Sequence, residues 1–187
     1  DSAGAHYLIA MPHQWNGHLV LHAHGGPALG APRPERSAAD LERWAIMVKA
    51  GYAWAGSTFR QGGVEVRAAA EDTERLRQIF LGHVAQPRRT ILHGQSWGAS
   101  VAARGAEMFT STTQGQRPYD AVLLTSGVLA GGSRSYDFRT DLRVVYQYLC
   151  NNHPRPTEVQ YPVNIGLPAD ATLTPADLAV RVNECLG

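Results

Sequence analysis

Hydrophobic residues follow two patterns along the first two thirds of the chain: short apolar runs, and runs in which apolar side chains recur every three or four residues. The short runs predict β-strands because β-prone residues stand between turn signals. These strands are expected at 6–11, 19–23, 52–59, 90–93 and 119–125. Asn16-Gly17 between the first two runs predicts a hairpin. The last run has almost no polar alternation, which predicts a strand covered on both faces.

The periodic runs predict amphipathic helices between these strands. They cover residues 37–50, 65–84 and 97–109. Ser37, with Asp40 three residues later, predicts a helix start with a partial capping box. Alternation of strands and helices predicts an α/β fold with a mainly parallel sheet and helices on both faces.

The pattern changes after Gly127, where the sequence becomes rich in Gly, Pro, Tyr and Arg. One helix is expected near 141–150. A second is expected after Thr174, an N-cap residue followed by proline at the first helical position. The chain is therefore divided into a core at 1–127 and a cap-like segment at 128–187, inserted on the loop side of the sheet.

Composition narrows the classes of function. The 187 residues are 44% hydrophobic and 18% charged, which is typical of a globular protein. A net charge of +1 gives no field that would attract nucleic acid or an anionic membrane. No apolar run approaches the roughly 20 residues of a membrane span. Neither nucleic acid nor a membrane is expected as a partner.

The two cysteines, Cys150 and Cys185, belong to no Cys-x-x-Cys pair, so zinc and thioredoxin-like sites are disfavoured. Two interpretations remain. They are unrelated buried thiols, or they form a disulfide that stabilises the fold by roughly 3–4 kcal/mol. A disulfide would indicate a secreted or periplasmic protein, and the alternative is a cytoplasmic one.

The pentapeptide Gly-Gln-Ser-Trp-Gly at 94–98 stands between a predicted strand and a predicted helix. A serine on so sharp a turn has its hydroxyl exposed, and the flanking glycines avoid side-chain clashes. The helix N-terminus also favours negative charge beside the serine. Ser96 is therefore the candidate nucleophile. The alternative is an ordinary helix N-cap.

A second motif, His-Gly-Gly-Pro at 24–27, follows the strand at 19–23. An oxyanion formed in acyl transfer needs two backbone N–H donors. One would come from Trp97, and the other from Gly25 or Gly26, since proline has no N–H. His24 is expected to orient this loop. The alternative is a plain Gly-Pro turn.

The other histidines near these motifs give no metal site. His22 and His24 could form a metal pair in isolation, but no third ligand is indicated nearby. His93 is expected to pack beneath the serine turn. The sequence therefore predicts no metal and no cofactor.

The two motifs, in this order and on these elements, resemble the serine α/β-hydrolase superfamily over about residues 5–127. The resemblance implies that Ser96 is the nucleophile, that Gly26 and Trp97 form the oxyanion hole, and that a small carboxylic ester is hydrolysed through an acyl-enzyme. The His-Gly-Gly-Pro form and the tryptophan after the serine are also similar to the proline iminopeptidase branch. The run at 141–154 resembles uncharacterised bacterial members.

The resemblance also implies a catalytic acid and then a histidine late in the chain. His153 is the only histidine after Ser96. It could act as base with Asp137 or Asp141, or be a surface loop residue. We expect instead that the acid, the base and the C-terminal strands of the fold lie outside this chain, in a second segment or chain.

Three functions remain as alternatives. An ester hydrolase would use the cap aromatics to bind an apolar or aromatic group. These residues are Tyr136, Phe138, Tyr146, Tyr148 and Tyr161. An aminopeptidase of the iminopeptidase type would need cap carboxylates such as Glu158 and Asp170. A non-catalytic α/β-hydrolase-like protein would bind a ligand without turning it over.

Overall fold

The computed structural model describes residues 1–26, 30–62, 65–111, 115–159 and 173–187. The chain divides into two compact units, Asp1–Leu129 and Ala130–Gly187. This division lies close to the predicted boundary, while the assignment of the second unit as a cap stays a prediction. Within the described ranges, no helix is both long enough and apolar enough to cross a bilayer.

A five-stranded, mainly parallel sheet forms the centre of the first unit. Its strands are β1 (Tyr7–Ala10), β2 (His18–Ala23), β3 (Ala53–Ser57), β4 (Arg89–Gln95) and β5 (Ala121–Thr125). Their order across the sheet is β1-β3-β2-β4-β5, and only β1 runs antiparallel to its neighbour. The predicted mainly parallel α/β architecture is confirmed.

The predicted hairpin between β1 and β2 is wrong, because β1 pairs with β3, with Tyr7 opposite Ser57. The Asn16 carboxamide oxygen instead accepts a hydrogen bond from the His18 amide at 2.9 Å. The Asn16 amide donates to the Gly51 carbonyl, also at 2.9 Å. The Asn-Gly turn therefore starts β2 and fastens it to the loop before β3.

Helices cover both faces of the sheet. They are α1 (Glu35–Arg43), α2 (Ala45–Lys49), α3 (Val66–His83) and α4 (Trp97–Met108). Leu21 of β2 belongs to a buried cluster with Leu76 and Phe80 of α3. His22, the next residue of β2, points to the opposite face and packs on Trp44, between α1 and α2.

The start of α1 differs from the prediction. The helix begins at Glu35, after Pro34, whose φ of −56° is already helical. Ser37 lies inside the helix, with its buried hydroxyl 3.4 Å from the Gly56 carbonyl oxygen. Asp40 pairs with Arg36 one turn earlier in α1. The predicted capping box is therefore wrong, because Ser37 and Asp40 both lie inside the helix and not at its start.

Strand β5 is more exposed than predicted. Val122 and Leu123 are 40% and 47% exposed, and β5 pairs with β4 along one edge. The apolar side chains of β5 are those of a strand that is covered on both faces. The described residues of the first unit do not provide that cover.

Two helices, α5 (Gly131–Cys150) and α6 (Pro175–Leu186), form the second unit. The predicted helix at 141–150 is the C-terminal half of α5. Thr174 caps α6, and Asp177 completes the capping box. Cys150 and Cys185 form a disulfide between the ends of the two helices, with Cα atoms 5.6 Å apart.

Replacing Cys150 and Cys185 together by serine is expected to lower the free energy of unfolding of the second unit by about 3 kcal/mol, since the cross-link limits the unfolded chain. Urea unfolding followed by circular dichroism measures this. Reductant should reproduce the effect in the unmodified protein and have none on the double variant. An unchanged midpoint in the double variant would contradict the expectation.

Candidate functional site

Ser96 occupies the turn between β4 and α4 in a conformation that serine rarely adopts. Its φ is 55° and its ψ is −118°. Such a residue costs on the order of 1–3 kcal/mol and persists only where its surroundings hold it. The Ser96 amide donates to the Thr125 carbonyl at 2.9 Å, and the Ser96 carbonyl accepts from the amides of Ala99 and Val128. The Ser96 side chain makes no capping hydrogen bond, so it is not an ordinary N-cap.

Both glycines of the pentapeptide are needed for close packing. A Cβ atom on Gly94 would lie 2.6 Å from the Ala99 Cα atom. A Cβ atom on Gly98 would lie 2.6 Å from the Ala23 carbonyl carbon. Real Cβ atoms do not approach so closely, so alanine at either position would displace backbone. The first turn of α4 therefore rests directly on the end of β2.

His24 is buried within the loop that follows β2. Its ring stacks on Phe59, with ring centroids 4.3 Å apart. Its Nδ1 atom lies 3.3 Å from the Gly25 carbonyl oxygen. Burial, and then the positive charge of Arg36, lower the pKa of His24. These contacts suit the predicted orienting role, which stays a prediction.

Gly26 and Trp97 line the same small pocket, together with His24. Trp97 is the first residue of α4, where helix amides have no acceptor within the helix. Among the described residues, no acceptor takes the Gly26 or the Trp97 amide proton. The arrangement can therefore offer two amide donors to a ligand oxygen. Their oxyanion role stays a prediction.

A buried pair of imidazoles lies on the opposite face from α3. His22 and His93 are directly opposite each other in β2 and β4, with their Nδ1 atoms 2.9 Å apart. The His93 Nε2 atom lies 3.3 Å from the Thr125 hydroxyl, and the His22 Nε2 atom lies 3.9 Å from an Asp40 oxygen. The sequence pointed to His22 and His24 as a pair. The register of β2 and β4, which composition does not reveal, instead makes His93 the neighbour of His22.

No group of three His, Cys, Asp or Glu side chains that could hold a metal ion occurs in the described part of the chain. His153 lies in the second unit, where its amide donates to the Gln147 side chain at 3.0 Å. Burial, and then the charge of Arg143, lower the pKa of His153. Asp137 and Asp141 are exposed on α5. The role of these three residues as base and acid stays a prediction.

The Glu158 carboxylate is already paired, because Arg181 donates to both of its oxygens. The hydrogen bond from Arg181 lowers the pKa of Glu158 to about 2. Asp170 and Tyr161 lie outside the described residues, as does the side chain of Tyr136.

The other aromatic residues that the sequence analysis assigned to a cap differ in their surroundings. Phe138 and Tyr148 are largely exposed, so they do not form a cap core within the second unit. The Tyr146 hydroxyl donates to the Asn152 side chain at 2.7 Å.

No protein-family model and no curated protein matches this chain. Solved structures do match it. An inhibited esterase B from Lactobacillus rhamnosis is 16% identical, with a TM-score of 0.53 over 81% of this chain and 59% of that one. The cell wall degrading esterase LipA from Xanthomonas oryzae is 16% identical, with a TM-score of 0.50 over 82% of this chain and 48% of that one. The fold is that of the α/β hydrolases. The chain spans about half the length of the solved structures it matches.

Substituting Gly98→Ala is expected to destabilise the first unit by about 1–3 kcal/mol, because the new methyl group meets the end of β2. The matched control is Gly82→Ala in α3, where nothing lies within 4 Å of the added Cβ. The control should be neutral or more stable by up to about 1 kcal/mol, since alanine favours helix. Thermal unfolding of both variants checks this. Equal effects of the two substitutions would contradict the tight approach at Gly98.

Stability of this unit should fall in acid because of His93. Burial, and then the charge of His22, lower the pKa of His93 to about 4. An unfolded histidine titrates near 6.5, so between these values the unfolded chain binds the extra proton. The loss develops as pH falls from about 6.5 to about 4 and totals on the order of 3 kcal/mol.

Urea unfolding across this pH window measures the effect. His93→Asn should reduce the pH dependence and leave the part due to His24, whose pKa is also lowered, whereas His83→Asn, at an exposed position, should leave it unchanged. A wild-type slope in His93→Asn would show that other groups cause it.

Proposed function

We propose that this protein is a serine hydrolase that cleaves a small carboxylic ester through an acyl-enzyme on Ser96. The conformation of Ser96 carries the proposal. A non-glycine residue with φ of 55° and no capping hydrogen bond has no evident structural purpose at this turn. Strain of this kind is concentrated at active sites. The pocket shared by Gly26 and Trp97 adds a place for the oxyanion.

In the proposed reaction, the Ser96 hydroxyl oxygen attacks the ester carbonyl carbon while a base takes its proton. The carbonyl oxygen becomes an oxyanion that accepts hydrogen bonds from the amides of Gly26 and Trp97. The bond from the carbonyl carbon to the alkoxide oxygen then breaks, and the base gives its proton to the departing alkoxide. The acyl group remains bound to Ser96. Water, activated by the same base, then releases the acid and restores the serine. The N-terminus of α4 favours the negative charge throughout.

The catalytic acid and base are proposed to come from a second segment or chain. The histidines of the first unit close to the motifs are buried in contacts with other groups, which supports this. His24 stacks on Phe59 and faces the Gly25 carbonyl, while His22 and His93 are buried against each other. Removal of a triad histidine costs about a millionfold in turnover in a well-studied serine protease. The exposed apolar residues of β5 would be covered by the same additional part.

The alternative functions have less support. An aminopeptidase would use a free carboxylate to hold the substrate ammonium group, and Arg181 already neutralises Glu158. Export from the cytoplasm is part of the proposal, and the Cys150–Cys185 disulfide supports it. Because Glu158 is already paired with Arg181, ester hydrolysis is preferred over peptide hydrolysis. A non-catalytic binding protein would retain the pocket but leave Ser96 unreactive.

The full-length protein should react with a fluorophosphonate probe and hydrolyse a short-chain p-nitrophenyl ester. Ser96→Ala should abolish labelling and lower kcat by about a millionfold, to background. Ser111→Ala, at an exposed position, is the matched control and should keep full activity. An unlabelled wild-type protein, beside a reactive control hydrolase, would reject the enzyme proposal in favour of a binding protein.

A further inference from the structure

The Gly25 carbonyl oxygen is held from outside its loop. The Arg36 guanidinium, on α1, donates a hydrogen bond to this oxygen through Nη2. The His24 Nδ1 atom lies 3.3 Å from the same oxygen. Nothing in the proposed reaction uses Arg36, so its contact with the loop needs a separate explanation.

The geometry of the peptide unit links this contact to the pocket. The Gly25 C=O and the Gly26 N–H belong to one planar trans peptide, so they point in opposite directions. Holding the oxygen toward Arg36 therefore directs the amide proton away from Arg36. Gly26 lines the pocket together with Trp97. Two consecutive glycines have large conformational freedom, and Gly26 has a φ of 71°, so this orientation depends on an external restraint.

The Arg36 guanidinium is itself held in place by Asp40. The Arg36 Nε atom lies 3.3 Å from an Asp40 oxygen, one turn later in α1. Asp40 is only 8% exposed, and its other oxygen faces His22 at 3.9 Å. Burial raises the pKa of Asp40, but the nearby His22 ring and the charge of Arg36 hold it below the usual value. The carboxylate therefore stays ionised and keeps the guanidinium beside the loop.

The charge of Arg36 has a second effect. A cation at the carbonyl oxygen draws electron density toward that oxygen and makes the amide proton of the same peptide a stronger donor. Lysine could supply the charge but lacks the planar fork that reaches a carboxylate and a carbonyl together.

We propose that Arg36 is a positioning residue, which sets the Gly26 amide in the oxyanion hole by holding the Gly25 carbonyl oxygen. This inference rests on the proposed ester hydrolysis at Ser96. It adds a residue that none of the motifs contains.

The test compares Arg36→Gln and Arg36→Lys with Arg33→Gln in the full-length protein. Arg33 is exposed just before α1 and is the matched control for charge. A misdirected amide stabilises the transition state less but barely affects ground-state binding. We therefore expect kcat to fall about tenfold in Arg36→Gln with KM nearly unchanged, a smaller loss than deletion of an oxyanion donor causes. Arg36→Lys should lie between this variant and the wild type, and Arg33→Gln should match the wild type.

The rate constant for fluorophosphonate labelling should fall in the same order, because the phosphoryl oxygen occupies the oxyanion hole. Wild-type kcat in Arg36→Gln, or a change in KM alone, overturns the positioning role. If Arg36→Gln does not fold, Arg36→Lys decides, and a wild-type labelling rate there overturns the role. Failure of the wild-type protein to be labelled would instead reject the proposed function.

Discussion

The first unit depends on the contact between the first turn of α4 and the C-terminal end of β2. Gly98 has no side chain, so the helix backbone rests on the carbonyl groups of Ala23 and His24. The turn that carries Ser96 and the loop that carries Gly26 thereby become neighbours. A Cβ atom on Gly25 would lie 2.8 Å from the Gln95 carbonyl oxygen, so this loop is packed against the turn as closely. Two segments about 70 residues apart in sequence form one pocket because glycines allow their backbones to meet.

A polar layer lies on the α1 side of the same sheet. Asp40, His22 and His93 form a buried sequence of contacts that ends at the Thr125 hydroxyl. The Thr125 carbonyl oxygen also accepts a hydrogen bond from the Ser96 amide. Buried polar networks hold a unique arrangement when satisfied and are costly when they are not. Here the contacts end at Thr125 of β5, whose carbonyl oxygen also accepts the Ser96 amide, so the buried histidines and the serine turn are linked through one strand.

Local sequence signals were enough to find Ser96, the glycine loop and most strands and helices. Each of these depends on residues within a few positions of one another. The signals were insufficient where pairing is long-range. Asn16-Gly17 has hairpin composition, yet β3 takes the position beside β1 because strand order is a property of the whole sheet. Asp40 has capping composition, yet its side chain faces His22 of β2, 18 residues earlier in the chain.

The Cys150–Cys185 disulfide also affects how the second unit would respond to a cut in its chain. The bond spans 35 residues and ties the end of α5 to the end of α6. Cleavage by a protease anywhere between these cysteines would leave two pieces that remain covalently joined. Electrophoresis without reductant would then show a single band for the nicked protein, and only reduction would separate the fragments. Damage to this segment in an oxidising compartment would therefore not release α6.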